Sequence, residues 1–201
     1  MFALLPAALL FAAPLAHADD TKAFLDPANW AGRPDIWSFQ DGVVVGKTNG
    51  DLKFNTFLVS KAKYADFELS YTVTLRDGEG NSGVQVRSVL ADAEKFIVFG
   101  PQADAAPNYW GALYGEGVGG YLLKPKTVHK MKGEPVKYKL TVTGNHIAID
   151  VNGATTLDAD FPTAKDGTPA AAAGVIALQV HVGKPMRVEF RDIKFTDLGK
   201  K

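Results

Sequence analysis

Cysteine is absent from this chain of 201 residues, and with it go disulfides, thiolate metal sites, a cysteine nucleophile and the lipid-bearing cysteine of a bacterial lipoprotein. Packing alone must hold the fold. A charge bias is missing too: 22 Lys and Arg stand against 22 Asp and Glu. No overall field therefore draws the chain to nucleic acid or to an anionic membrane surface, and no nucleic-acid partner is expected. A sustained 3.6-residue periodicity is hardly seen, which excludes a helical bundle and the crossover helices of a parallel sheet. Long apolar runs are confined to Phe2–Leu15, a stretch too short, and too interrupted by Pro6 and Pro14, to span a bilayer. It ends in Ala16-His17-Ala18, small residues where a signal peptidase needs them, although no Lys or Arg precedes it. Residues 1–18 read as a leader cleaved after Ala18, giving a periplasmic or extracellular mature chain without a membrane span. At 46% hydrophobic content, residues 19–201 suffice for one domain with a real core.

What is present is alternation. Phe67, Leu69, Tyr71, Val73 and Leu75 point one way while Glu68, Ser70, Thr72 and Thr74 point the other, the pattern of a half-buried strand. Tyr138, Leu140 and Val142 run into Gly144-Asn145, then Ile147, Ile149 and Val151 return to Asn152-Gly153, which predicts a hairpin followed by a second tight turn. Further strands are expected near 43–45, 52–59, 82–89, 95–100, 112–114, 174–182 and 187–195, with loops at 101–110 and 160–173 and a short helical turn at 170–173. Many short strands without crossover helices predict an all-β, antiparallel sandwich of the jelly-roll kind, with a concave sheet facing a ligand.

Four strand regions carry planar hydrogen-bonding side chains on one face. Gln102 and Asp104 continue the face begun by Phe96 and Val98; Tyr114 and Glu116 share the face of Ala112; Gln179 and His181 oppose Ile176, Leu178, Val180 and Val182; Gln85 and Arg87 oppose Val84 and Val86. Carboxylates, amides, a phenol and the indole of Trp110 on one surface suit a polyhydroxylated ligand, rings beneath its C–H faces and polar groups on its hydroxyls, so a carbohydrate is the expected partner. His181 adds a group that exchanges protons near neutral pH. The bland alternative is the ordinary wet side of a two-sided sheet.

Other motifs carry less. Gly115-Glu116-Gly117-Val118-Gly119-Gly120 has dinucleotide-fingerprint spacing, but Pro125 follows where a helix should begin. These glycines serve a tight bend or the approach of backbone to a ligand. His146 falls at a hairpin turn and His129 in a lysine-rich loop, which argues against a three-histidine zinc site. Asp77-Gly78-Glu79-Gly80-Asn81 alternates oxygen donors but lacks the twelve-residue calcium pattern and reads as an acidic turn.

The motifs Asp66-Phe67-Glu68-Leu69, Asn81-Ser82-Gly83-Val84-Gln85-Val86-Arg87, Gly100-Pro101-Gln102-Ala103-Asp104, Trp110-Gly111-Ala112-Leu113-Tyr114-Gly115-Glu116, Val151-Asn152-Gly153 and 174–181, closed by Val188-Glu189-Phe190-Arg191-Asp192-Ile193, resemble the 3-keto-disaccharide hydrolases. That family was first catalogued as domain of unknown function 1080, within the concanavalin A-like lectin/glucanase superfamily. The resemblance covers about 37–198. This chain departs from the family pattern at Asp192, where Asn is usual, and at Pro135-Val136-Lys137, where a Trp-Asn pair is common.

The resemblance implies a concanavalin A-like sandwich and cleavage of a sugar oxidised at C3, whose ketone acidifies the C2 hydrogen so that a base can remove it and expel the C1 group before water adds. Such a route draws on His181 or Glu116 as base and Asp104 or Glu116 as acid. Arg87 with Gln102 or Gln179 would contact the enolate and hydroxyls, and Asn81, Trp110 and Tyr114 the sugar. No cofactor is required, though a divalent cation could stand in for Arg87 as electrophile. Direct hydrolysis of an unoxidised glycan by Asp104 and Glu116 ranks lower, since the Glu-x-Asp-x-x-Glu strand usual in sandwich glucanases is missing. A noncatalytic carbohydrate-binding module and a structural adhesion sandwich are the rivals from other classes.

Overall fold

The computed structural model describes residues 20–76, 80–127, 130–131, 133–165 and 167–200. The leader at 1–18, the Asp77–Glu79 part of the acidic turn and His129 lie outside the described residues. A helical turn α1 (Thr21–Phe24) precedes the short strands β1 (Trp30–Ala31), β2 (Trp37–Gln40) and β3 (Val43–Lys47). Longer strands follow: β4 (Thr56–Tyr64), β5 (Phe67–Leu75), β6 (Ser82–Asp92) and β7 (Ile97–Ala105). Next come β8 (Leu113–Glu116), β9 (Gly120–Leu123), β10 (Val136–Thr143) and β11 (His146–Val151). The last three are β12 (Ala154–Asp160), β13 (Gly174–Val180) and β14 (Arg187–Asp197). They form two antiparallel seven-stranded sheets, β1-β4-β13-β6-β7-β8-β9 and β12-β11-β10-β5-β14-β3-β2. No helix among the described residues is long and apolar enough to cross a membrane.

Alternation builds the core. Phe67, Leu69, Tyr71, Val73 and Leu75 of β5 and Tyr138, Leu140 and Val142 of β10 meet Val84, Val86, Ala103, Leu113, Ile176, Leu178 and Val180 of the other sheet. Burial of each large aliphatic or aromatic side chain contributes about 1.5–3 kcal/mol. Turns hold the register. Asn152 and Gly153 both take positive φ, 51° and 82°, as a type I′ hairpin demands. At Gly144-Asn145 only the glycine does, at 53°, as in a type II′ turn. Asp192 occupies a bulge of β14 with φ 52°, a conformation that Asp and Asn tolerate better than most residues. Its carboxylate accepts from the Thr72 hydroxyl at 2.9 Å.

Several segments differ from the sequence-based expectation. Residues 101–105, expected as loop, continue β7. Pro101 is admitted to an inner strand because it lies opposite a bulge, where the pairing of β6 with β7 breaks between Gln85 and Val89. Strands β1, β2, β9 and β12 were not anticipated, and 170–173 makes no helical turn. Val182 is 37% exposed because β13 has already ended at Val180.

The bulge is centred on Arg87, whose φ is 47°. This left-handed step swings its side chain off the outer face and toward the second sheet. There Nε donates to the Ala65 carbonyl at 2.7 Å, Nη1 to the Gly144 carbonyl and Nη2 to Asp66 at 2.8 Å. The guanidinium lies 5.4 Å from the Phe161 ring centroid. The β4–β5 connection between the sheets and the β10–β11 hairpin turn are thereby tied to β6 by one side chain. Gly174 of β13 passes so close to this kink that a Cβ would stand 2.3 Å from the Arg87 carbonyl carbon. Arg87→Met keeps the stem but strands two carbonyls; it is expected to lower unfolding stability by about 2–3 kcal/mol in urea titrations. A loss no larger than that of an exposed control would contradict the role.

Candidate functional site

Adjacent strands place the polar residues together through register. Gln102 of β7 pairs with Tyr114 of β8 and with Gln85 of β6, while Gly100 pairs with Glu116. Because Ala103, Ala105, Leu113, Leu178 and Val180 enter the core, their alternates Gln102, Asp104, Tyr114, Glu116 and Gln179 stand on the opposite face of the first sheet. A hollow of about 260 Å³ opens there, lined by Asn55, Asn81, Gln102, Asp104, Tyr114, Glu116, Gln179 and His181. Beside it the same face is dry, where Phe57, Val59, Val98, Val175 and Ala177 pack beneath Phe96 of the β6–β7 turn. The hollow is thus the polar half of a face whose other half is sealed.

Asn55 donates to Glu116 Oε1 at 3.0 Å and the Gln179 amide lies 3.3 Å from Glu116 Oε2, two contacts that fix the carboxyl plane. Asn55 is itself aimed by the Val182 amide, which donates to its Oδ1 at 2.7 Å. His181 Nδ1 lies 2.6 Å from the Val182 carbonyl. A carbonyl only accepts, so Nδ1 carries a proton, and Nε2 is the ring nitrogen left to act as acceptor whenever the ring is neutral. Asn81 Oδ1 meets no partner among the described residues.

Asp104 is 2% exposed. Burial, reinforced by the neighbouring charge of Glu116, raises its carboxyl to about 7, against contacts with the Gln102 side chain and the Ala105 amide that pull it down. Burial, with the nearby carboxylates Glu116 and Asp104, also raises the Tyr114 phenol. The Asp104 backbone is held from across the core: the Tyr138 hydroxyl donates to its carbonyl at 2.6 Å and accepts from the Gly111 amide at 3.0 Å. Tyr138 in turn stacks on Tyr71, centroids 5.1 Å apart. An aromatic pair of the core therefore sets the height of the buried acid on the outer face.

Seven sequence-selected residues, Asn81, Gln102, Asp104, Tyr114, Glu116, Gln179 and His181, share the hollow. Two selections are corrected. Arg87 was expected beside Gln85 on the outer face by strict alternation, but the bulge turns it to the far end of the sandwich, against Asp66, Gly144 and Phe161. Trp110 is 2% exposed within the core, tilted against Tyr138 at 6.5 Å. The positive φ of Gly111, 77°, ends the alternation that would have carried its indole outward. Asn55 was missed. It shares parity with Phe57 and Val59 of the outer-face cluster, but both faces of β4 are buried in this stretch, so its sequence shows no alternation to mark the wet side.

The model of the family described as "3-keto-alpha-glucoside-1,2-lyase-like domain" matches residues 19–196, and the chain belongs to that family. No curated protein matches the sequence closely enough to count. Among solved structures it is similar to a Parabacteroides distasonis protein provisionally assigned as a glycosyl hydrolase, at 24% identity and TM-score 0.62 over 85% of this chain and 94% of that one. It is also similar to the carbohydrate-binding module CBM66 of Bacillus subtilis, at 17% identity and TM-score 0.61 over 84% and 95%. A galectin-like Bacillus subtilis protein of unknown function superposes with TM-score 0.57 at 13% identity, over 85% and 90%. At these identities the likeness establishes the fold.

The raised Asp104 carboxyl has a stability consequence. In the unfolded chain an aspartate ionises near its ordinary 3.8, in the folded chain near 7. Folding stability is therefore full below the lower value and falls as pH rises toward the upper one. Asp104→Asn removes the ionisation, so the variant should exceed the parent in stability by on the order of 2–4 kcal/mol at pH 8, the gap closing toward pH 4. Urea titrations at the two pH values test this, and a pH-independent gap would rule it out.

Proposed function

We propose that the chain is an exported enzyme, periplasmic or extracellular, that cleaves 3-keto-glycosides by eliminating the C1 substituent and then adding water. The observation that carries this reading is a buried carboxyl raised to about 7, Asp104, in one hollow with Glu116 and the Nε2 of His181. Pure binding of sugar needs amides and a ring. It does not need a buried carboxyl that costs stability.

In the proposed reaction His181 Nε2 takes the C2 proton, made acidic by the C3 ketone, and the C–H electron pair passes into an enolate. The enolate then expels the C1 oxygen, which receives a proton from the Asp104–Glu116 pair, leaving an unsaturated ketone. Water adds at C1 and C2 is reprotonated, giving the free 3-keto sugar. Since Arg87 lies elsewhere, the Tyr114 hydroxyl and the Asn81 amide are left to face the enolate oxygen, and the amides of Gln102 and Gln179 the sugar hydroxyls. Positioned proton transfer of this kind contributes about 10²–10⁴-fold in rate.

The test is release of the aglycone from a 3-keto-glucoside by the mature chain, with and without chelator, together with exchange of the C2 hydrogen in heavy water. His181→Ala is expected to lower kcat by about 10²-fold or more while saturation-transfer NMR still detects the bound sugar. Binding of the ketosugar with neither release nor exchange would leave a carbohydrate-binding module as the function.

A further inference from the structure

Beneath the hollow lie three buried glutamines, Gln85, Gln102 and Gln179, at 0%, 1% and 1% exposure. Their amides touch in series. One end of the Gln85 amide is 2.9 Å from Gln102, the other end of Gln102 is 3.3 Å from Gln179, and the outer end of Gln179 is 3.3 Å from Glu116 Oε2. Gln102 also reaches Asp104 Oδ1 at 3.5 Å. An amide presents a donor at one end and an acceptor at the other, so the orientation of one dictates the next. The series can run in only two directions.

Run outward, each nitrogen points toward the hollow, and Gln179 donates to a Glu116 carboxylate. The Gln85 oxygen is then left against the carbonyl oxygens of Gly100 and Pro101, at 3.2 and 3.1 Å, with only the Ser88 hydroxyl able to donate to it. Run inward, the Gln85 nitrogen donates to those two carbonyls and to Ser88 Oγ at 2.7 Å, and the Ser88 hydroxyl is free to donate to the Val86 carbonyl at 3.0 Å. Backbone carbonyls cannot reverse their role and, at zero exposure, no solvent substitutes for a missing donor; the inward direction is the satisfied one at that end. It turns the oxygens of Gln179 and Gln102 toward Glu116 and Asp104. Oxygen facing oxygen is stable only if a carboxyl proton lies between.

We infer that Gln85, Gln102 and Gln179 form a directional amide chain that keeps a proton on the Asp104–Glu116 pair, and that Gln85, which touches neither carboxyl, is the positioning residue for the acid of this site. The raised Asp104 carboxyl agrees with a proton retained by the pair. Among the described residues, the titratable groups facing the pair across the hollow are Tyr114 and His181, and no Lys or Arg lines it. Only a protonated His181 would therefore oppose the arrangement. Once the pair has given up its proton, the inward chain faces a carboxylate with amide oxygens, which makes that carboxylate a stronger base for recovering a proton from water. The catalytic meaning of this rests on the reaction proposed above. The amide direction and the retained proton do not.

Two measurements test it without substrate. In protein with carbon-13 carboxyl labels on Asp and Glu, Gln85→Met, matched in length and lacking donor and acceptor, should release the pair's proton about one pH unit lower, a tenfold weaker proton affinity. An unshifted titration in a folded variant overturns the inference. In the unmodified protein, the Gln85 amide protons should show nuclear Overhauser contacts to Gly100 and Pro101; contacts to Gln102 alone overturn it as well. If the titration shifts but no ketosugar is cleaved, the amide chain stands and the reaction falls. If cleavage occurs, the alkaline limb of its kcat profile should move with the titration, which a merely structural role for Gln85 would not produce.

Discussion

The left-handed step at Arg87 is the constraint on which the rest of the first sheet depends. A strand that obeyed strict alternation would lay Gln85 and Arg87 side by side on the outer face, putting a guanidinium at the foot of the hollow. With φ at 47°, β6 keeps Gln85 outward and sends Arg87 through to the turns of the second sheet. The kink does three things at once. It joins the sheets at one end, it interrupts the ladder where Pro101 has no N–H to give, and it keeps the Arg87 guanidinium out of the hollow. Gly174 is the condition for it, since no side chain fits beside the kinked backbone.

With that guanidinium held away, the two carboxyls of the hollow interact with each other and with neutral amides. A sheet optimised for stability would not bury Asp104, nor line up three glutamines beneath it, because each amide must find partners in a confined space. The surrounding structure supplies them at some distance: the Tyr138 hydroxyl from the second sheet holds the Asp104 main chain, and the Val182 amide orients Asn55 against Glu116. The hollow is stiff because its supports are backbone groups and a stacked pair of tyrosines rather than mobile surface side chains. The reaction proposed above would draw on such fixed supports, since its reacting distances would then be set before the ligand arrives.

Much of this could be read from the sequence, because the side-chain period of an extended chain is short and regular. The hairpin at Gly144-Asn145, the turn at Asn152-Gly153 and the inward rows of β5, β10 and β13 follow from alternation and turn chemistry alone. So does the shared face of Gln102, Asp104, Tyr114, Glu116 and Gln179, which needs only that neighbouring strands pair in register. Where the period breaks, the sequence is silent. Arg87 and Trp110 stand next to backbone steps of positive φ, and neither Arg87 itself nor the residues around it announce the bulge. Asn55 was hidden for a different reason: both sides of β4 are covered, so no wet face shows in its pattern. Residues 101–105 looked like loop because of Pro101, whose tolerance depends on a break in the neighbouring strand β6, between Gln85 and Val89.

The sandwich has one fastened end and one open end. At Ala65-Asp66 and at Gly144 the turns are short and bound to the Arg87 side chain, so an inserted residue there would part the sheets. Around Asn55, Asn81 and His181 the site residues sit just beyond strand termini, in segments whose length the core does not dictate. Lengthening or shortening those segments would reshape the rim of the hollow without disturbing the core, while the clasp at Arg87 has no such latitude.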